Sequence, residues 1–406
     1  MTSTTLSGPA ETTRDTTEPD VELIARATAL APLALEQAEE GTRNGRLTAT
    51  MTDALHDAGL FTLTVPRRYG GYETNSRTVT SVLTELARGD GSAAWSTMLL
   101  NTGNWFATTW PVKAQDEVWG EDPDARCCVI LAPGGKATPV EGGYEISGRW
   151  PYASGSFAAT HAIVGVLIPQ TDGGYRHALA IVGPGDWTVE RSWFPIGMRG
   201  TGSDTVVTDR VFVPAHRVQW FDDLVEGRYA TELKDTEARA RAAFLPTGTI
   251  IFGAVLVGLG RATLDQALER MEGKGVAGTA YTRTSMSPTH QVAVATATGL
   301  VDAAELLVHR ASRDIDASAL SGSYMDELTR ARVRNDTGMI VTLITDAVDR
   351  LMKAAGSSAF LETNNLSRVF QDVSMAGSHV HATPGIATDN YGKLLLHSDQ
   401  PLAAHV

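Results

Sequence analysis

The sequence predicts an α+β fold, on three observations. Apolar residues recur at helical spacing up to about residue 125, β-branched and alternating runs take over from Arg126 to Trp220, and helical periodicity returns from about Glu237 onward. The expected organisation is a disordered tail over 1–20, an N-terminal helical domain over 21–125, a central antiparallel β-domain over 126–225 and a C-terminal helical bundle over 226–406.

The tail is rich in Thr, Ser and Glu and has neither a basic start nor an apolar segment, which excludes a signal peptide. Helical spacing over Glu22–Glu40 is interrupted by Pro32, where a kink or break is expected. Thr48–His56 reads as a second helix. Leu60–Pro66 reads as a short extended piece and Arg67–Glu73 as a loop. Thr78–Arg88 is helical again, and after Gly89–Ser92 the next helix runs through Trp95 with Ser92 as its N-cap.

Strands are expected at Cys128–Leu131, His161–Ile168, His177–Val182 and Thr205–Val213, with turn chemistry at Asp172–Gly174 and Gly183–Asp186 between them. Helices are expected over Ile250–Glu272, His290–Asp314, Asp326–Ala355 and Leu361–Ser378, several of them apolar on more than one side, as in a bundle. The run Ala242–Gly260 is uncharged but contains Pro246 and four glycines, so a buried helix fits it better than a membrane span.

Composition narrows the function. A net charge of -13 and a pI near 5.2 argue against nucleic acid or an anionic membrane as a partner. Cys127 and Cys128 are the only cysteines; adjacent, they make no disulfide framework and suit a reducing cytoplasm. No metal-ligand spacing stands out, since His379 and His381 lack a third ligand nearby.

One stretch carries chemistry of its own. Gly148–Gly155 places an indole (Trp150), a phenol (Tyr152) and a hydroxyl (Ser154) within a few residues, an arrangement suited to a flat, redox-active ring. Trp95 is a second ring candidate; each tryptophan equally fits the interior. Gly356-Ser357-Ser358 and Gly197–Gly200 offer backbone N–H groups to a phosphate. His379, at an expected helix end, is either a proton carrier titrating near neutrality or a helix-terminal surface residue.

Several segments together resemble the acyl-CoA dehydrogenase superfamily. They are Leu55–Phe61 followed by Val65–Gly71, Gly148–Trp150, Gly197–Thr205 running into Val211–Pro214, and Gly356–Ser358 with Asn365–Asp372. The resemblance covers nearly everything after residue 20. It departs at two places. The family's catalytic Glu lies in a Tyr-Glu-Gly-Thr type segment, where this chain has Ser378–Pro384, and the element that helps bind a neighbour's FAD is degenerate at Tyr281–Met286. Those departures, with Trp150–Gly155, Gly91–Trp95 and the C-terminal His, are similar to the two-component flavin monooxygenases, such as the oxygenase component of 4-hydroxyphenylacetate hydroxylase.

The resemblance implies reduced FMN or FAD supplied by a separate NAD(P)H-dependent reductase, O₂ as co-substrate, a C4a-hydroperoxide, and hydroxylation of an aromatic small molecule. N-oxidation of an amino sugar, S-oxidation of a thioether and acyl-CoA dehydrogenation are the alternatives. It implies catalytic roles for Ser154 and His379, with His381 as the fallback and Asp372 orienting or charge-balancing the histidine. It places Trp150, Tyr152, Trp95, Arg199, Ser203, Gly356 and Ser357 at the cofactor, puts Asn101 and Asn104 on the substrate wall, and implies a homotetramer.

Overall fold

The computed structural model describes residues 18–406. The tail expected over residues 1–17 lies outside the described residues, and Glu18–Asp20 are not loose. Asn75 donates to the Glu18 carbonyl, Asp20 N–H donates to Thr78 Oγ1, and the Asp20 carboxylate caps the first helix by accepting from Glu22 and Leu23 N–H.

Five helices precede the sheet: α1 (Val21–Asn44), α2 (Ala49–Asp57), α3 (Ser76–Gly89), α4 (Gly91–Ala107) and α5 (Val112–Trp119). Helix α1 runs through Pro32 without a break; Pro32 is exposed, so water can take the carbonyl it leaves unpaired. Leu60–Pro66 forms no strand. Its carbonyls at Thr62, Leu63 and Val65 instead accept from N–H groups of Tyr72–Thr74. The cap of α4 is Asp90, which accepts from Ala93 N–H, and Ser92 lies inside the first turn.

The sheet has seven strands: β1 (Cys127–Val140), β2 (Gly143–Trp150), β3 (His161–Pro169), β4 (Tyr175–Val182), β5 (Thr188–Glu190), β6 (Thr205–Pro214) and β7 (Val218–Trp220). Their order is β5-β6-β2-β1-β3-β4-β7. It is not wholly antiparallel: β3 returns alongside β1 in the same direction, because the hairpin partner β2 already occupies the other edge of β1.

Helix α6 (Phe221–Val225) leaves the sheet, and the bundle follows with α7 (Phe244–Met271), α8 (Pro288–Ser321), α9 (Glu327–Ala355), α10 (Asn365–Ala376) and α11 (Pro384–Leu395). The most apolar window of α7 is 89% buried, which makes it the core helix of the bundle. The helix expected over Leu361–Ser378 is shorter, since Ser357–Phe360 is a separate 3₁₀ turn and Asn364 caps α10.

Helix α4 ties the layers together. Gly103 lies so close to β1 that a Cβ there would meet the Cys127 carbonyl oxygen at 2.0 Å. Asn104 Oδ1 accepts from Cys127 N–H at 2.9 Å and its amide donates to the Phe61 carbonyl at 3.0 Å. Asn101 donates to Leu60 and Thr97 carbonyls and accepts from Thr64 N–H. Both asparagines are buried and join α4 to the loop and the sheet through these bonds, and Asn101 also lines an internal cavity with Thr64, Trp105 and Ile251.

Candidate active site at the junction of sheet and bundle

The site is built where four segments meet: the stretch after β2, the N-terminal half of α4, the loop between β5 and β6, and the turn between α10 and α11. Residues 153–155 follow β2 and pair with the loop, Ala153 N–H donating to the Asp204 carbonyl and Gly155 N–H to the Thr201 carbonyl. Gly155 takes φ +75, the left-handed region that favours glycine, and faces Leu100 of α4.

This pairing brings Ser154 beneath α4. Its hydroxyl accepts from Trp95 Nε1 at 3.2 Å and lies 2.6 Å from Ser203 Oγ. Ser203 in turn lies 2.7 Å from Thr201 Oγ1. The other side of Trp95 meets His379 edge-on, with ring centroids 5.7 Å apart, and Phe252 of α7 stacks on His379 at 4.3 Å. Ser154, Ser203, Trp95 and His379 thus come together.

His379 is held at a definite tautomer. The backbone N–H of His381 donates to its Nδ1 at 3.3 Å, so Nδ1 is unprotonated and Nε2 carries the hydrogen. Loss of water around the ring pushes its pKa down to about 3, with the neighbouring His381 adding to the effect. Burial and then the Arg334 charge hold His381 down at about 4, and its Nδ1 is buried without a hydrogen-bond partner. At neutral pH both imidazoles are uncharged. His379 therefore presents a neutral N–H donor rather than a base poised near 7.

Two expectations are corrected. Trp150 is fully buried; its Nε1 donates to the Gly165 carbonyl at 2.6 Å, and Gly134, Gly135 and Gly148 close over its ring. No face is left for a cofactor. Asp372 does not orient His379. Its carboxylate accepts from Met198 N–H, fastening the 197–203 loop to α10, and a Cβ on Gly197 would meet the Gln371 carbonyl at 2.1 Å. Burial, followed by the charge of Asp90, pushes Asp372 up to about 7. Tyr152, at 65% exposure and φ +67, packs edge-on against Trp193 at the surface, beside exposed Phe194 and Ile196.

Arg199 donates to the carbonyls of Thr42 and Pro195 and has no carboxylate partner among the described residues. Gly356 (φ +85) ends α9, and Ser357 opens the exposed turn before α10. Phe252, Thr201 and Met198 were not singled out from sequence. Phe252 lies in a run legible only as a buried helix, and Thr201 sits in the Gly197–Thr205 loop whose polar character was its only mark.

The side chains present fit a flavin. Ser154 retains an oxygen lone pair, Trp95 flanks it, the Tyr152–Trp193 pair with Phe194 and Ile196 supplies an apolar rim, and Arg199 supplies a cation with no carboxylate partner among the described residues. Among the described residues no cluster of three His, Cys, Asp or Glu side chains could hold a metal ion. Burial pushes the Cys128 thiol up to about 12 and Cys127 higher, so neither is a nucleophile.

Residues 21–118 match the N-terminal domain of acyl-CoA dehydrogenase, and residues 250–384 match its C-terminal domain. The chain is 28% identical over 370 residues to the oxygenase subunit HsaA of a flavin-dependent monooxygenase from Rhodococcus jostii, covering 90% of this chain and 96% of that one. It is 27% identical over 386 residues to the oxygenase component of p-hydroxyphenylacetate 3-hydroxylase from Acinetobacter baumannii, covering 93% and 89%. Among solved structures it resembles XiaF from Streptomyces sp., in complex with FADH2 and glycerol, with a TM-score of 0.89, 30% identity, and 95% and 97% of the two chains covered.

Proposed function

Because the chain belongs to the acyl-CoA dehydrogenase family and is the oxygenase component of a flavin-dependent monooxygenase, we propose that it hydroxylates a phenol or a similarly electron-rich ring with reduced FAD and O₂ at the Ser154–Trp95–His379 cluster. Bound there, the cofactor supplies electrons to dioxygen and an electrophilic oxygen atom to the ring. The observation that carries the reading is the position of Trp95, which touches Ser154 with its N–H and His379 with its edge.

The residues divide the work. Ser154 holds the polar edge of the cofactor, and Trp95 fixes that hydroxyl while excluding water from one side. His379 donates from Nε2 to the substrate's oxygen and orients the ring for attack; Phe252 behind it keeps the imidazole from turning. FAD rather than FMN is favoured by the FADH2 complex of XiaF, and Arg199 and the Gly356–Ser357 turn are polar groups of a kind that suits phosphates.

A separate NAD(P)H-dependent flavin reductase completes the system, as the relatives' naming as components supports. We further propose a homotetramer in the cytoplasm. Helix α8, with Val292 and Leu306 each more than 60% exposed, supports the assembly, and two buried free thiols suit a reducing compartment. The test is turnover of a panel of phenols with reductase-supplied FADH2 under ¹⁸O₂. One labelled ring oxygen in the product is expected; consumption of reduced flavin with no labelled product from any phenol sinks the reading.

A further inference from the structure

Hydrogen bonds in series fix the direction of every proton around Ser154. The Met198 carbonyl accepts from Thr201 Oγ1 at 2.8 Å and from Trp193 Nε1 at 2.9 Å. A carbonyl only accepts, so the single hydroxyl proton of Thr201 is engaged there. Thr201 must then accept from Ser203 at 2.7 Å. With its own proton engaged, Ser203 must accept from Ser154 at 2.6 Å. The Ser154 proton therefore points at Ser203. One Ser154 lone pair takes the Trp95 N–H at 3.2 Å, which leaves one free lone pair and no free proton.

The head of this chain is held firmly. Met198 takes φ +54, uncommon for a residue other than glycine, and its N–H is bonded to the buried Asp372 carboxylate. Thr201, Ser203 and Ser154 are each at least 95% buried, so no bulk water competes for their protons.

We propose that this hydroxyl chain makes Ser154 an obligate acceptor and so sets the site's preference for reduced over oxidised flavin. The inference rests on the flavin reading above. Reduced flavin carries a hydrogen on N5, which the free Ser154 lone pair accepts. Oxidised flavin carries only a lone pair on N5. Ser154 can donate to it only by leaving Ser203, whose oxygen is then buried without its donor. Thr201, Ser203 and the Met198 carbonyl are positioning groups that act through Ser154 without touching the cofactor. The preference lets the protein capture reduced cofactor from solution and release it once oxidised.

The test measures dissociation constants for reduced FAD (anaerobically) and oxidised FAD, and takes their ratio. Thr201→Val keeps the side chain's shape and removes the hydroxyl; Ser203 then turns its proton to Ser154 and frees the Ser154 proton. The oxidised-to-reduced ratio is expected to fall about tenfold in Thr201→Val and in Ser203→Ala, and to return in Thr201→Ser. If Ser203→Ala fails to fold, Thr201→Val carries the measurement. A ratio unchanged in Thr201→Val, or both constants moved by the same factor, overturns the proposal. Ser154→Ala separates the two levels. If it leaves both constants unchanged, the flavin reading of this site fails as well. If it weakens reduced FAD while Thr201→Val leaves the ratio alone, only the hydroxyl chain fails.

Discussion

The indole N–H of Trp95 donates to Ser154 Oγ over 3.2 Å, so a residue of the N-terminal helices helps orient a hydroxyl carried by the turn after β2. Trp95→Phe keeps the ring contacts with His379 and Phe252 and removes only this bond. A neutral hydrogen bond contributes about 0.5–1.5 kcal/mol. Reduced-FAD affinity should fall roughly three- to tenfold, and more of the O₂ consumed should appear as free hydrogen peroxide. Anaerobic titration and a peroxide assay check both; unchanged values would remove Trp95 from the site.

His379, held near 3 by desolvation, stays neutral from pH 5 to 9, so the rate of coupled hydroxylation should show no imidazole inflection in that range. His379→Asn, which keeps an N–H donor, should retain about tenfold more coupled activity than His379→Ala. Linkage gives a second readout. A histidine depressed from 6.5 contributes stability that is present above pH 6.5 and lost as pH falls toward 3. Acid unfolding of His379→Asn should accordingly begin at lower pH. An inflection near pH 6.5 that vanishes in the variant would restore a general-base role.

Asp372 runs the opposite way. Raised from 3.8 to about 7, it is protonated in the folded protein and ionised in the unfolded chain between those values. Its contribution to stability is full below pH 3.8 and is lost as pH rises through 7. Asp372→Asn keeps an acceptor for Met198 N–H and removes the titration. The melting temperature of the variant relative to wild type should climb from about pH 5 to just above 7, by less than the roughly 2–4 °C per kcal/mol of a 150–250-residue domain. A constant difference across that range would contradict it.

Trp150 and Asn104 should report on stability rather than on chemistry. Trp150→Ala removes a fully buried indole and should destabilise by about 3–5 kcal/mol. Asn104→Ala leaves the Cys127 N–H and the Phe61 carbonyl unpaired, at about 1–3 kcal/mol each. The milder Trp150→Phe should bind reduced FAD as wild type does. Denaturant melts and flavin titration separate the two effects; a Trp150→Phe protein that folds normally but loses flavin would reinstate Trp150 as a cofactor contact.

The fold class was legible because helical and alternating periodicities change sharply near Arg126 and Glu237. Ser154 and His379 could be singled out because their residue types, in segments that resemble a known branch, suit the chemistry, and the structure brings both to Trp95. Trp150 was placed at the cofactor for its indole and for the resemblance of its segment, and neither shows that Gly134 and Gly135 of the neighbouring strand seal its ring. The role of Asp372 depends on Met198, 174 positions away, and no local pattern encodes that pairing. Asn101 and Asn104 looked free because their partners at Leu60, Phe61 and Cys127 belong to other segments of the chain.

The central claim is that the cluster around Ser154 shelters reduced flavin while it reacts with oxygen. The most direct measurement mixes the protein, preloaded anaerobically with one equivalent of FADH2, with oxygenated buffer lacking substrate, and follows O₂ consumption and hydrogen peroxide release together. Peroxide should lag well behind oxygen uptake in the wild type, and the lag should collapse in Ser154→Ala. Peroxide released by the wild type as fast as oxygen is consumed, as from free reduced flavin, would contradict the account.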